Sequence, residues 1–259
     1  MAQYIEVDEA IGMSGLRVVL TPGVPGPWSE AAKGILHVKK IPYIKVRQEL
    51  GGDNLPLKRW SAQTTAPVFA YNDERPRSIW NDQLYLAERL QRNLPLIPSD
   101  IQERALMFGL ANEICGENGL GWSRRLTLLH PALSNPHAPE AAKKASAHMG
   151  NKYGYSPEAA EAAAARTAEI IRALAEQLAS QRSKDSRFFV GDRLSALDIY
   201  WATFAALLEP LPDNLCPMPA AYRRMYQCGD PLIRAALTPQ LLAHRDFIYH
   251  EYLELPVDL

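Results

Sequence analysis

The sequence predicts two domains of different class: a small α/β unit with elements in the order βαβαββα, then an all-helical unit. Two observations carry this expectation. Short β-branched runs alternate with amphipathic stretches as far as Arg92, and beyond that point strand-like runs vanish. Between the two regimes stands NLPLIPSD, with two prolines in eight residues and no apolar period, the composition of a domain boundary. At 259 residues and 47% apolar composition, the chain can bury the cores of two ordinary domains. The expected divisions are an N-terminal extension at 1–15, the α/β domain at 16–92, a linker at 93–100 and the helical domain at 101–259.

Residues 1–15 show no clear period and are expected to be poorly ordered. LRVVL, from Leu16, reads as a buried strand, ended by the glycines and prolines of TPGVPGP. Pro27 suits a first helical turn, so a helix is expected from Trp28 to Lys40, with Ala31, Ala32, Ile35, Leu36 and Val38 as its apolar residues. Pro42 stops it, and Tyr43, Ile44 and Val46 open a second strand, joined to the first by a right-handed parallel crossover. A short helix at Leu55–Ser61, the strand APVFAY, a short paired strand at Ser78 and Ile79, and a helix from Asp82 to Arg92 complete the unit.

In the second unit, Ile101 to about Leu129 reads as one long helix with a break near Gly116–Gly121, and LHPALSNPHAPE as a loop. From Ser156–Pro157 another helix places Ala163, Thr167, Ile170, Ile171, Leu174 and Leu178 on one face. The segment from Leu197 to Leu208 is apolar nearly all round, as a helix enclosed by others must be. Ser195 and Asp198 have the spacing of a capping box, with Asp in place of the usual Glu or Gln.

Charge and cysteine usage narrow the classes of function. Lys plus Arg number 28 against 29 for Asp plus Glu, so no global field recruits nucleic acid or an anionic membrane. Cys115, Cys216 and Cys228 are odd in number and far apart, which suits a reducing compartment and no disulfide framework. MAQYIEVDEA has neither a basic n-region nor an apolar h-region, and a cytoplasmic protein without membrane spans is expected. His130, His137, His148, His244 and His250 show no metal-ligand spacing, so no metal is expected, and no GxGxxG or Walker pattern occurs.

Two segments, residues 188–207 and 221–237, carry a likeness that extends over residues 16–238: the chain resembles the glutathione transferase superfamily. FFVGDRLSALDIYWATFAAL, residues 188–207, is similar to that family's small loop, capping box and buried helix. AYRRMYQCGDPLIRAAL, residues 221–237, is similar to its next-to-last helix and the proline that follows. The resemblance implies a thioredoxin-like first domain, a helical-bundle second domain, glutathione as co-substrate and a homodimer. It implies that Pro67, in Thr65-Ala66-Pro67-Val68, follows a cis bond, and that Ala66 offers its backbone to the cysteinyl part of glutathione. At the start of the domain's last helix the family has an acidic residue and Ser, which hold the γ-glutamyl end. Here the pair is Asp82–Gln83, in which Asp82 can attract an ammonium group and Gln83 a carboxylate.

Glutathione chemistry needs a thiolate, and a hydroxyl or thiol donor at a helix N-terminus stabilises one. TPGVPGPWSEAAK contains neither Tyr nor Cys, so Ser29 is the first candidate donor and Thr21 the second, with Trp28 as a wall for the sulfur site. By resemblance, Ser29 aligns with the functional serine of some bacterial members, including lignin-ether-cleaving ones. Conjugation, ether cleavage and reduction of a small, hydrophobic or aromatic electrophile all begin with this thiolate.

The family's acceptor pocket lies between the domains. Asn112, Cys115, Trp122, Arg124, Arg125 and His130 fall on or after the corresponding helix, with Trp122 and the Arg124–Arg125 pair suited to an aromatic or anionic substrate or to a dimer partner. A second class of function fits the same residues: a transferase-like binding or structural protein with weak or lost glutathione affinity. The Asp82–Gln83 pair, a first loop without Tyr or Cys and the extra N-terminal residues favour it.

Overall fold

A computed structural model describes residues 3–259. The chain forms two compact units, one of residues 1–96, 212–218 and 249–259, the other of residues 97–211 and 219–248. Residues 212–218 and 249–259, which sequence order puts in the helical domain, therefore belong with the α/β unit.

The first unit contains α1 (Val7–Ile11), β1 (Leu16–Leu20), α2 (Pro27–Val38), β2 (Ile44–Arg47), α3 (Leu55–Ser61), β3 (Val68–Tyr71) and α4 (Trp80–Leu90). Its three-stranded sheet has the order β2-β1-β3. β1 pairs in parallel with β2, with Val19 opposite Val46, and antiparallel with β3, with Val19 opposite Val68. Every residue of β1 is buried, as a central strand covered on both faces requires. The paired strand expected at Ser78 and Ile79 does not form: only a bridge between Phe69 and Arg77 occurs there, and α4 begins at Trp80, two residues before the expected start.

The N-terminal extension corrects the sequence reading further, because its described part is packed. Ile5 adds to the free edge of β2, its N–H donating to Lys45 O at 3.0 Å and its carbonyl accepting from Arg47 N at 2.9 Å. Val7 and Ala10, one turn apart on α1, join Val19, Val46, Leu57 and Val68 in one core cluster against which Ala66 packs. One turn is too short to show a helical period.

Two buried cations also brace this unit. Arg17 of β1 donates to Gly15 O at 2.7 Å and Asn72 O at 2.8 Å. Lys39, at the end of α2, donates to Glu88 at 2.9 Å and to Leu94 O at 3.2 Å, fastening the segment after α4. The C-terminal segment returns to the same unit: Val257 N donates to Leu215 O at 2.7 Å, and Asp258 takes Lys45 on its carboxylate and Lys33 on its carbonyl.

The second unit contains α5 (Ile101–Cys115), α6 (Leu120–Ser134), α7 (Glu140–Tyr153), α8 (Pro157–Arg182), α9 (Ala196–Phe204), α10 (Ala220–Tyr226), α11 (Pro231–Ala236) and most of α12 (Pro239–Tyr252). All six residues expected on the apolar face of α8 are buried, and so is every residue of α9. The expected helix break falls between Cys115 and Leu120, where Asn118 is left-handed with φ 58°. α6 then runs through Pro131 to Ser134 and so takes the first half of what reads as a loop, and α7 fills the stretch between that loop and the helix that begins at Pro157. α7 was illegible because only Gly150 of its residues is buried, so no apolar stripe marks it. The capping box forms as expected: Asp198 accepts Ser195 N at 2.9 Å and Ser195 Oγ at 2.8 Å, and beyond the box it also accepts Phe189 N and His244 Nε2, both at 2.9 Å. Among the described residues no helix is long and apolar enough to cross a membrane.

Candidate glutathione site and a cationic cluster

The carboxyl ends of β1 and β2, the opening turn of α2 and the entry to β3 all lie in the first unit, where an open α/β sheet usually places its ligand. α2 opens on Gly26, which has no side chain to cap the helix, followed by Pro27, which has no N–H. Its first intrahelical bond runs from Glu30 N to Gly26 O at 2.9 Å. The Ser29 N–H, at the third position, thus has no acceptor within the helix. Side chains of a helix lean toward its N-terminus, and a Cβ added to Gly26 would stand 3.8 Å from Ser29 Oγ. Ser29 is 8% exposed, and its hydroxyl makes no hydrogen bond among the described residues. The hydroxyl therefore sits at the positive end of α2, where an anion is stabilised.

Thr21, the second candidate, is engaged. Its hydroxyl donates to Gln48 Oε1, while Gln48 Nε2 donates to Glu49 O at 2.6 Å and to Thr64 O at 3.2 Å. Gln48 thus ties the ends of β1 and β2 to the loop that enters β3. Its role was not legible in the sequence, because a lone glutamine after a strand carries no motif.

The Ala66–Pro67 peptide is cis, as the resemblance implies, and the N–H and C=O of Ala66 enter no hydrogen bond among the described residues. The loop is held from behind by Gln83, which donates Nε2 to Pro67 O at 3.1 Å and to Arg77 O at 3.2 Å. Gln83 is only 4% exposed, so its amide is a strut of the cis-proline loop and not a free group for a carboxylate. The early start of α4 accounts for this: Asp82 is exposed in the first turn, and Gln83 turns inward one residue later.

Beyond Ser29, α2 carries a buried charged group. Glu30 pairs with Lys33 at 2.9 Å, and burial pushes its carboxyl up despite the lysine. Tyr4 stacks near Lys45 and Arg47, and burial, with Asp258 and Glu30 nearby, raises its phenol to about 12.

In the second unit the residues expected on the acceptor side divide. Arg124 is buried, with Nε donating to Leu207 O at 3.1 Å and a guanidinium nitrogen to Thr127 Oγ1 at 2.5 Å, so it supports the fold. Trp122 is half-buried; its indole N–H donates to Tyr153 O at 2.9 Å, and the two rings meet edge-on at 4.8 Å. Arg125 is half-buried, 5.8 Å from the Tyr226 ring. His130 Nδ1 lies 3.0 Å from the Tyr155 hydroxyl. Cys115 is buried, and burial pushes its thiol well above the usual range, the reverse of a reactive cysteine. Asn112 accepts Gly116 N at 2.8 Å and closes α5. Among the described residues no three His, Cys, Asp or Glu side chains are grouped to hold a metal.

Part of the chain matches a family model. Residues 157–245 fit the glutathione S-transferase C-terminal domain. The chain is also similar to a glutathione S-transferase domain-containing protein from Marinobacter aquaeolei VT8, at 17% identity and TM-score 0.61, covering 91% of this chain and 98% of the other. A glutathione S-transferase from Methylobacterium radiotolerans, in complex with glutathione sulfonate, aligns at 16% identity and TM-score 0.59 over 92% of each chain. The β-etherase LigF from Sphingobium sp. strain SYK-6 aligns at 16% identity and TM-score 0.58, covering 90% of this chain and 94% of its own. No curated protein sequence matches the chain significantly. The fold is a thioredoxin-like domain followed by a helical-bundle domain, the fold of these glutathione S-transferase structures, and residues 157–245 carry the match to that family's C-terminal domain.

Proposed function

We propose that this protein is a glutathione-dependent transferase in which Ser29 donates a hydrogen bond to the glutathione thiolate. One observation carries the reading: an otherwise unengaged hydroxyl stands on the uncapped, positive end of α2, in the same unit as a cis-proline loop whose Ala66 backbone is free to pair with a peptide. Ala66 and Pro67 receive the cysteinyl part, Asp82 attracts the γ-glutamyl ammonium, and Trp28 walls the sulfur. The serine lowers the thiol pKa by stabilising the anion, and the helix end adds to that field. The electrophile is a small, hydrophobic or aromatic molecule, attacked in conjugation, ether cleavage or reduction. By family likeness the enzyme is a cytoplasmic homodimer.

The test is calorimetric titration of glutathione into the protein and into Ser29→Ala, with thiolate absorbance followed against pH. The expected result is binding by both, with a bound thiol pKa about one to two units higher in Ser29→Ala, since a hydrogen bond to a charged group contributes about 1.5–3 kcal/mol. Absence of binding at millimolar glutathione would instead support a transferase-like fold kept for binding or structure. Gln83, committed to the cis-proline loop, is the observation that favours this second reading.

A further inference from the structure

Arg125 on α6 faces a setting in which its charge has no acidic counterpart. Among the described residues neither Arg124 nor Arg125 forms an ion pair with a carboxylate. Asp230, the acid felt by Arg124, holds Oδ1 against Leu232 N at 2.9 Å and Ile233 N at 3.2 Å, where it caps α11. A second cation lies close by, for Lys152 of α7 stands 5.8 Å over the Tyr153 ring. Burial lowers the Lys152 pKa and the positive field of Arg125 lowers it further.

The polar atoms around Arg125 point the same way. Its Nε is buried without a hydrogen-bond partner, and so is the hydroxyl of Tyr226 on α10, whose ring centre lies 5.8 Å from the guanidinium carbon. Burial pulls the Arg125 pKa down, but the phenols of Tyr226 and Tyr153 more than offset it, so the guanidinium stays charged. A buried guanidinium nitrogen and a buried hydroxyl, both without a partner, are costly unless an acceptor joins them. Next to them is an apolar wall: Trp122, Tyr153 and Tyr155 pack on a cluster of Leu126, Ala160 and Ala163.

We propose that Arg125 and the Tyr226 hydroxyl bind the carboxylate of an aromatic acid, whose ring lies against Trp122 and Tyr153. The guanidinium supplies two parallel N–H donors to the two carboxylate oxygens, the phenol a third, and the ring buries apolar area on the indole. This site lies wholly within the second unit and is independent of the glutathione reading.

The experiment is calorimetric titration of the full chain, without glutathione, with 4-nitrobenzoate and with the neutral 4-nitrobenzamide. The benzoate should bind at least about tenfold more tightly than the amide, in keeping with the strength of a charged hydrogen bond. Arg125→Met should abolish the difference by weakening benzoate alone, and Arg125→Lys, which keeps the charge but not the fork, should restore only part of it. Tyr226→Phe, which removes the hydroxyl and leaves the ring, should weaken benzoate several-fold and leave the amide unchanged; it serves also if Arg125→Met does not fold. Equal affinity of the two probes for the wild-type protein overturns the proposal, as does an undiminished preference in Arg125→Met or in Tyr226→Phe.

Discussion

Asp198 is the acceptor on which the centre of the second unit converges, and Asp198→Ala should be severe. The carboxylate is fully buried and takes Phe189 N, Ser195 N and His244 Nε2, all at 2.9 Å, and Ser195 Oγ at 2.8 Å. The serine hydroxyl can turn elsewhere, but two backbone N–H groups and one ring N–H would be stranded in a dry core. At about 1–3 kcal/mol for each orphaned donor the loss is about 3–9 kcal/mol. Relief from desolvating a carboxylate offsets part of it, so about 4 kcal/mol is the expected net cost. Ser195→Ala removes only the cap hydroxyl and should cost about 1 kcal/mol. Urea unfolding followed by far-ultraviolet circular dichroism separates the two. With a slope of about 3 kcal/mol per molar urea, Asp198→Ala should lower the midpoint by more than about 1 M, against about 0.3 M for Ser195→Ala. The double variant should cost less than the sum of the two single changes, because both delete the bond between Ser195 Oγ and Asp198. A midpoint for Asp198→Ala no lower than that of Ser195→Ala would refute the argument.

Two further expectations concern the first unit. Deleting residues 1–11 strips the β2 edge of Ile5 and removes Val7 and Ala10 from the core, and should cost about 3 kcal/mol in urea unfolding; unchanged stability would mean the extension does not brace the sheet. Glu30→Gln tests the buried carboxyl. Because burial raises its pKa, folding favours the protonated acid: that contribution is full below pH about 4.5 and is lost as pH rises through the folded value. Relative to wild type, Glu30→Gln should therefore be least favourable in acid and gain as pH rises toward neutrality, a trend read from urea midpoints between pH 4 and 8. A relative loss with rising pH would show that the ion pair with Lys33 dominates instead.

What the sequence determined by itself was whatever short-range chemistry repeats along the chain. The β-branched run at Leu16, the proline that opens α2, the apolar face of α8 and the Ser195–Asp198 spacing each depend on neighbours a few residues away, and each formed as expected. The family likeness rested on the segment that holds Ser195 and Asp198 and on residues 221–237. The N-terminal helix and α7 were hidden because one has a single turn and the other almost no buried residue.

Tertiary structure decided how the candidate sites are supported. Gln83 reads as a ligand group at a helix start, yet a two-residue shift in where α4 begins turns it inward onto Pro67 O. Gln48 and Thr64 are 16 residues apart, and only the pairing of β2 with β1 brings the loop carbonyl within reach of that amide. Arg124 and Arg125 are adjacent and alike in sequence, but one residue along a helix rotates a side chain by about 100°. Arg124 therefore points into the core and binds Leu207 O, while Arg125 faces Tyr226, which lies 101 positions later in the chain. No local pattern encodes such a meeting, because it depends on where distant helices pack.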